Sequence, residues 1–288
     1  MSRITSDWLV LVLLSLVSAF PTLASSEPTS PGTVLITGSN RGIGLAFAEF
    51  YAQHGWQVIA TTRSPEHADE LQALAKQYAN LSIEELDISD PAEVAAVAKR
   101  HAGQPIDVLL NNAAYLGDTG PQKFGQLDYE LFAKLVDINL VGPLRLTEAL
   151  VENVAASRQR KVIIMGSAAG SNGMLGRRGT RGNQLYAYRS SKAGLHLAAH
   201  MLAIDLAPRG IIVGLLNPGM VDTKGLLDLK PGDPVPEVFV PLLSQIESGA
   251  LKLARPADAV AKVAKLIDSL DAEKAGRFWD VDGQELPW

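Results

Sequence analysis

The chain contains no cysteine, and it has neither an excess of positive charge nor a shortage of hydrophobic residues. The absence of cysteine excludes a disulfide scaffold, a thiolate zinc site and a cysteine nucleophile. The 26 basic and 31 acidic residues give a net charge of −5, which argues against a basic surface for nucleic acid. Hydrophobic residues make up 47% of the chain and charged residues 20%, a balance that argues against intrinsic disorder. The length of 288 residues allows one or two domains.

Charge is also missing from residues 8–26, near the start of the chain. An apolar run in this segment ends at Pro21 and is shorter than the roughly 20 residues that a membrane-spanning helix needs. A short start with one arginine precedes the run, and small residues follow it, with candidate cleavage positions after Ala19 and Ala24. This pattern is typical of a secretory signal peptide.

We therefore predict a signal peptide at 1–24, a flexible linker at 25–32 and a single domain at 33–288. A cleaved signal would export the domain to a periplasmic, secreted or lumenal location. Two alternatives stay open. An uncleaved segment would anchor the protein to a membrane, and a wrongly assigned start codon would leave it in the cytoplasm.

After residue 32 the hydrophobic pattern alternates between short apolar runs and longer stretches of helical spacing. We expect strands at 34–36, 58–60, 81–86, 106–110, 161–165 and 211–216, and helices at 43–54, 67–78, 91–102, 127–154 and 186–207. Gly142 and Pro143 predict a bend in the fourth helix, and Asp90 is an expected N-cap of the third. Repeated β-α units predict an α/β fold, a single Rossmann-type doubly wound parallel sheet with helices on both faces.

A glycine-rich turn lies between the first predicted strand and the first predicted helix. Glycines in such a turn let a pyrophosphate approach backbone N–H groups at the start of the helix. The candidate cofactor-binding residues of this turn are Gly38, Asn40, Arg41, Gly42, Ile43 and Gly44. Their spacing, G-x-x-x-G-x-G, differs from the G-x-G-x-x-G dinucleotide fingerprint. A tight connection without a ligand is the structural alternative.

Two arginines favour NADP over NAD as the cofactor. Thr62 stands after the second strand, where a carboxylate would bind a ribose 2′-hydroxyl, and Arg63 follows it. An arginine there accommodates a 2′-phosphate. Arg41, inside the glycine loop, is a second candidate for the same phosphate.

The candidate catalytic residues follow several predicted strands. Tyr188 and Lys192 are four residues apart and share one face of a helix. Because an ordinary tyrosine pKa is near 10, proton transfer at neutral pH calls for a neighbouring cation, and Lys192 is the candidate. Ser167, after the fifth strand, is placed to bind a carbonyl or carbinol oxygen while Tyr188 exchanges the proton. By itself the Y-x-x-x-K spacing is weak, since both residues are common in helices.

Taken together, these motifs resemble the short-chain dehydrogenase/reductase family. The features that appear in the family's order are the loop at 37–44, Asp87, Asn111-Asn112-Ala113, Asn139, Ser167, Tyr188, Lys192 and Asn217-Pro218-Gly219. The segment 186–193 and the ending Asp-Gly-Gln-Glu-Leu-Pro-Trp at 282–288 are similar to a C-factor-like branch.

The resemblance assigns roles to further residues. It implies that Asp87 holds the adenine end of the cofactor and that Asn112 supports the fourth strand. Asn139 would position a water molecule for proton relay, and Lys192 would bind the nicotinamide ribose. The residues implied to meet the nicotinamide end, after the Pro-Gly pair, complete the cofactor set: Pro218, Gly219, Val221 and Thr223.

Four further patterns in the sequence have both a functional and a plainer interpretation. The arginines at 177, 178 and 181 lie in a long loop before Tyr188 and are candidates to recruit an anionic substrate, or simply a solvated loop. The proline-rich stretch 224–245 predicts a lid, with a plain crossover as the alternative. His196 and His200 have the spacing of a zinc pair but lack a third ligand, so we expect helix packing and no metal. Ser167 does not fit the G-x-S-x-G spacing of serine hydrolases.

We therefore expect an NADP(H)-dependent oxidoreductase that transfers hydride between the nicotinamide and a small carbonyl or secondary alcohol. The alternative is a C-factor-like nucleotide-binding signalling protein in which turnover is incidental. The 186–207 helix is apolar nearly all round, which suits a subunit interface. With the resemblance, this predicts a homodimer or homotetramer, without nucleic acid as a partner.

Overall fold

The computed structural model describes residues 31–176, 184–230, 232–235, 240 and 243–288. The predicted signal peptide and most of the predicted linker lie outside these residues. So do Arg177, Arg178 and Arg181 and several residues of the predicted lid. Within the described ranges, no helix combines the length and the apolar character needed to cross a membrane.

Seven parallel strands form the central sheet. In chain order the strands of the structure are β1 (Thr33–Ile36), β2 (Gln57–Thr62), β3 (Leu81–Glu85), β4 (Val108–Asn111), β5 (Lys161–Met165), β6 (Ile212–Asn217), β7 (Met220–Val221), β8 (Leu253–Ala254) and β9 (Phe278–Asp280). The sheet order is β3-β2-β1-β4-β5-β6-β9, and β7 pairs with β8 in a separate two-stranded ribbon. After β3 the chain returns to the other side of β1, so the order reverses between β1 and β4.

Helices cover both faces of the sheet. They are α1 (Gly42–Gln53), α2 (Asp69–Gln77), α3 (Pro91–Arg100), α4 (Tyr129–Val136), α5 (Gly142–Ala155), α6 (Tyr186–Leu206), α7 (Leu243–Glu247) and α8 (Pro256–Asp268). Phe47 of α1, Leu71 of α2 and Val263 of α8 belong to one buried cluster. Val97 of α3 and Leu195 of α6 belong to another, with side chains of α5. The predicted doubly wound α/β fold is therefore confirmed.

Most predicted elements are present, and the exceptions have local causes. All six predicted strands form. The sheet also has a seventh strand, β9, and β7 and β8 form the separate ribbon. These strands have only two or three residues, too few to show a hydrophobic period. The expected N-cap of α3 is confirmed, because the Asp90 carboxylate accepts a hydrogen bond from the backbone N–H of Ala92 at 2.7 Å. The second predicted helix begins only at Asp69, after a short 3₁₀ turn.

The long helix predicted at 127–154 is divided by a π-helical turn. This turn spans Asp137–Val141 and joins α4 to α5 immediately before the predicted bend at Gly142. A Cβ atom at Gly142 would lie 2.9 Å from the Ile88 side chain, so the glycine permits close packing there. π-turns are frequent at functional sites, and this one carries Asn139.

Candidate active site

The candidate residues gather at the edge where the parallel strands end. Thr37 follows β1, Asn112 follows β4, Ser167 lies two residues after β5, and Asn217 ends β6. Because all these strands are parallel, their carboxyl ends lie at one edge of the sheet. In open α/β sheets, ligands bind outside this edge, at the point where the strand order reverses.

The glycine loop has the backbone geometry that a phosphate site requires. Gly38 and Gly42 adopt φ angles of 70° and 58°, in the left-handed region that favours glycine. A Cβ atom at Gly38 would lie 2.9 Å from the Cα of Ala113, so the loop lies directly against the segment after β4. No side chain caps the start of α1, and its first turn carries no acidic residue. The helix start therefore offers uncapped N–H groups to an anion, and the loop fits the pyrophosphate of a dinucleotide.

Thr37 fixes this loop, although the sequence did not single it out as a site residue. Its buried hydroxyl accepts hydrogen bonds from the backbone N–H groups of Asn112 at 3.0 Å and Ala113 at 2.9 Å. The hydroxyl thus ties the end of β1 to the segment after β4. The only sequence signal was a threonine immediately before the first glycine.

Asn112 reinforces the same junction. Its side-chain amide donates to the carbonyl oxygens of Thr37 at 2.8 Å and Gly38 at 3.3 Å. The resemblance implied support of the fourth strand. The structure places this side chain between β4 and the glycine loop, so that it holds the loop.

The segment after β6 closes over the glycine loop from the other side. Gly219, which follows Pro218, has a φ angle of 75°. Val221 is buried in β7, and Thr223 is exposed. A Cβ atom at Gly42 would lie 3.1 Å from the Thr223 methyl group, so the two predicted cofactor segments lie side by side.

Arg41 is exposed in the glycine loop, and Arg63 is exposed immediately after β2. The backbone N–H of Ser39 donates to the carbonyl oxygen of Thr61 at 2.9 Å, which joins the loop to the end of β2. Neither guanidinium forms an ion pair or hydrogen bond with the part of the chain that the structure describes. Asp87, after β3, is half-buried, and its carboxylate accepts hydrogen bonds from the N–H and hydroxyl of Ser89.

Ser167 and Tyr188 are brought together by α6. Burial raises the pKa of Tyr188 above the ordinary value of 10.0, and the neighbouring Ser167 side chain has a smaller effect that lowers it. The Ser167 Oγ also accepts a hydrogen bond from the backbone N–H of Ala169 at 3.2 Å. The serine hydroxyl is therefore held in place beside the phenol.

Lys192 is buried one turn further along α6, and its ammonium has a different partner from the one expected. Its Nζ donates to the carbonyl oxygen of Met165 at 2.8 Å. Burial lowers the pKa of Lys192 to about 8. The spacing predicted that Lys192 would lower the pKa of Tyr188. In this structure the group that lowers it is Ser167.

The fully buried Asn139 uses its side chain as a clamp. Its Oδ1 accepts a hydrogen bond from the backbone N–H of Tyr115 at 2.7 Å, and its Nδ2 donates to the carbonyl oxygen of the same residue at 2.8 Å. The Nδ2 also donates to the Ser191 hydroxyl of α6 at 3.0 Å. Asn139 therefore joins the segment after β4 to the helix that carries Tyr188 and Lys192.

Gln122 is a second clamp, and the sequence pattern does not predict it. Its Oε1 accepts a hydrogen bond from the backbone N–H of Tyr188 at 2.9 Å, while its Nε2 donates to the carbonyl oxygens of Leu116 and Asp118. The side chain is fully buried in a loop of mixed composition. Nothing in the local sequence distinguishes it from Gln126, which is exposed.

The two histidines of α6 pack against residues near the end of the sequence, as expected. His196 is buried against Phe278, with ring centroids 4.4 Å apart, and His200 lies against Trp288 at 5.3 Å. Among the described residues, no group of three or more histidine, aspartate or glutamate side chains is placed to hold a metal.

Comparison with known proteins identifies the family. A family model described as short chain dehydrogenase matches residues 32–232. C-signal of Myxococcus xanthus is 34% identical over 185 residues, which cover 64% of this chain and 93% of that protein. The chain belongs to the short-chain dehydrogenase/reductase family of oxidoreductases, and the resemblance found from the sequence is confirmed.

Solved structures with the same fold include two carbonyl reductases. The NADPH-bound carbonyl reductase from chicken fatty liver is 26% identical, with a TM-score of 0.75 over 90% of this chain and 95% of that one. Carbonyl reductase Sniffer of D. melanogaster is also 26% identical, with a TM-score of 0.72 over 89% of this chain and 99% of that one.

Replacing Gln122 by methionine should loosen the start of α6. Methionine has a similar length but leaves the Tyr188 N–H and two carbonyl groups without their partner, which we expect to lower the free energy of unfolding by about 2 kcal/mol. Hydrogen exchange followed by mass spectrometry should show faster exchange in residues 114–123 and at the start of α6. Gln126→Met, at an exposed glutamine of the same loop, is the control. Unchanged exchange in Gln122→Met would show that the clamp is dispensable.

Proposed function

We propose that the protein is an NADP(H)-dependent oxidoreductase that transfers hydride between the nicotinamide and a carbonyl or secondary alcohol. The observation that carries this proposal is the pairing of Ser167 with Tyr188 at the carboxyl edge of the sheet, the edge at which the glycine loop also lies. The NADPH bound by the chicken carbonyl reductase also supports it.

Most candidate cofactor residues of this chain follow the carboxyl ends of strands along one sheet edge. We assign the pyrophosphate to the loop of Gly38 to Gly44 and the adenine end to Asp87. Val221 and Thr223 would hold the nicotinamide end, and Thr223 lies beside Gly42 of the loop. When bound, NADPH supplies the hydride.

Tyr188 is the proton donor in this proposal. Burial raises its pKa, so the phenol is protonated at neutral pH and can donate the proton that a carbonyl oxygen receives on reduction. Ser167 would bind the substrate oxygen and keep it within reach of the phenol. Lys192 would bind the nicotinamide ribose and Asn139 would hold the relay to solvent, as the family resemblance implies.

Replacing Tyr188 by phenylalanine tests the assignment. The variant should lose about a hundredfold or more in turnover, because it lacks the proton that the product oxygen must receive. Its affinity for NADPH should stay unchanged. The measurement is NADPH oxidation with a panel of aldehydes, ketones and quinones, and Tyr186→Phe, at an exposed tyrosine two residues away, is the control. Full turnover by Tyr188→Phe would refute the proposed role.

A second candidate function is a nucleotide-binding signalling protein with incidental turnover. The 34% identity to C-signal favours it. A binding protein has no need of the Ser167–Tyr188 pair, so we place it second. The two functions separate in Tyr188→Phe, because a signalling role would survive the loss of turnover.

We further propose that Arg41 and Arg63 select NADPH over NADH. Both guanidiniums are exposed at the loop–β2 junction and have no ion-pair partner within the described residues. A 2′-phosphate at this junction would gain charge-assisted hydrogen bonds that the 2′-hydroxyl of NADH does not form as strongly.

Arg41→Ser and Arg63→Ser should each weaken NADPH binding about tenfold and leave NADH binding unchanged, because each removes one charged hydrogen bond to the phosphate. Nicotinamide fluorescence titration measures both affinities. Arg209→Ser is the control, since Arg209 pairs with Glu152 and lies just before β6, at the opposite edge of the sheet. Equal affinities of the native protein for the two cofactors would contradict the assignment.

The outer face of α6 supports the proposal of a homodimer or homotetramer. Leu197, Met201 and Ile204 are 62%, 54% and 62% exposed and follow the i, i+4, i+7 spacing of one helix face. We propose that a second copy of the chain covers this stripe.

Met201→Glu should shift the assembly toward monomer, because a carboxylate in the middle of the stripe would have to be desolvated. Sedimentation velocity measures the change. Leu227→Glu, at an exposed leucine of the lid region, is the control. A native protein that sediments as a monomer would rule out this interface.

Export remains part of the proposal. It is supported by the signal-like pattern of residues 1–24, with a membrane anchor or a cytoplasmic protein as the outcomes if the segment is uncleaved or its start is misassigned.

A further inference from the structure

We propose that His196 is a positioning residue for the active site: it holds the backbone of Ser167 so that the serine hydroxyl meets Tyr188. This inference rests on the proposed function, in which Ser167 and Tyr188 bind the substrate oxygen. It assigns a role in the reaction to a histidine for which the sequence predicts only helix packing.

The contact is a hydrogen bond to the serine backbone. The Nε2 atom of His196 accepts from the N–H of Ser167 at 3.2 Å, and the imidazole is only 2% exposed. A nitrogen that accepts carries no proton, so in the neutral ring the proton is on Nδ1. Burial, and to a smaller extent the charge of Lys192 one turn away, lower the pKa of His196 to about 3. The ring therefore stays a neutral acceptor across the range in which an enzyme works.

Burying this imidazole costs free energy, which indicates that its acceptor nitrogen, Nε2, has a function. Nδ1 is buried without a hydrogen-bond partner among the described residues. An unpaired buried donor is unfavourable, and an apolar side chain packed against Phe278 and Trp288 would avoid that cost. What the histidine adds over such a side chain is the acceptor for the Ser167 N–H.

Neighbouring residues of the same segment are held in the same way. The N–H of Ala168 donates to Asn217 Oδ1 at 3.1 Å, and the Asn217 amide donates to Asp280 at 2.7 Å. Further along, the Ser171 hydroxyl donates to the carbonyl oxygen of Pro287, and the N–H of Gly173 donates to that of Trp288. His196 supplies the corresponding contact for Ser167, the residue of the segment that meets Tyr188.

His196 lies beside a cavity of about 560 Å³, which Gly170, Asn172, Leu197 and Trp288 also line. The tip of its ring packs against two glycines, since a Cβ atom at Gly166 would lie 2.9 Å from Nε2 and one at Gly170 would lie 2.8 Å from Cε1. His200, one turn further on, also lies against Trp288 but binds the carbonyl oxygen of Gly276 and not Ser167.

The experiment compares His196→Leu with His196→Gln. The two side chains have similar size, but only glutamine has an oxygen that reaches the position of Nε2. We expect His196→Leu to lower kcat about tenfold, because a misplacement of reacting groups by about 1 Å can lower the rate by up to about a hundredfold. KM for NADPH should stay within about twofold, because the cofactor surface is untouched. His196→Gln should recover most of kcat, and His200→Leu, the control, should leave it unchanged.

A second readout does not depend on turnover. In ¹⁵N–¹H spectra, the Ser167 amide resonance should move upfield in His196→Leu and return toward its native position in His196→Gln. Thermal unfolding checks that each variant is folded.

The outcomes separate the inference from the proposed function. A native protein without turnover on any carbonyl would refute the proposed function, while the Ser167 amide would still report on the contact. Equal kcat in His196→Leu, His196→Gln and His200→Leu would overturn the positioning role. So would a Ser167 resonance that is the same in the native protein and in His196→Leu.

Discussion

The site depends on the pairing of β1 with β4 at the centre of a parallel sheet. The two strands are neighbours in the sheet, although β2 and β3 separate them in sequence. Where they end, the Thr37 hydroxyl and the Asn112 amide replace the ladder with side-chain hydrogen bonds. This junction sets the position of the glycine loop, and with it the start of α1. Without it, the loop and the segment that carries Ala113 would have no fixed relation.

The second half of the site is set by one face of α6. Tyr188, Lys192 and His196 are spaced four residues apart, so their side chains follow one another along the helix. Each meets the end of β5: the phenol meets the Ser167 hydroxyl, the ammonium the Met165 carbonyl and the imidazole the Ser167 N–H. Asn139 and Gln122 then fix the helix against the segment after β4. Burial favours the uncharged forms of Tyr188, Lys192 and His196, which suits groups that bind and move protons.

The sequence was informative where function and fold depend on local patterns. Six strands, the α/β class and the order of the motifs could be predicted because hydrophobic period and glycine spacing are local signals. Thr37, Gln122 and the role of His196 could not, since each acts through a partner 29 to 76 positions away. The interaction of Lys192 shows the same limit. Helical spacing correctly places it one turn from Tyr188, but the choice between the phenol and the Met165 carbonyl depends on β5.

The packing of residues 278–288 against the Ser167 segment has a consequence for the order of folding. The Ser171–Pro287 hydrogen bond joins residues 116 positions apart, and β9 completes the sheet beside β6. Contacts of such separation form slowly. The hydrogen bonds that hold the glycine loop come from β1, β2 and β4, all of which lie before residue 114, whereas the Ser167 segment depends on residues 278–288. The partners of the glycine loop are therefore synthesised well before those of the Ser167 segment, which is anchored later.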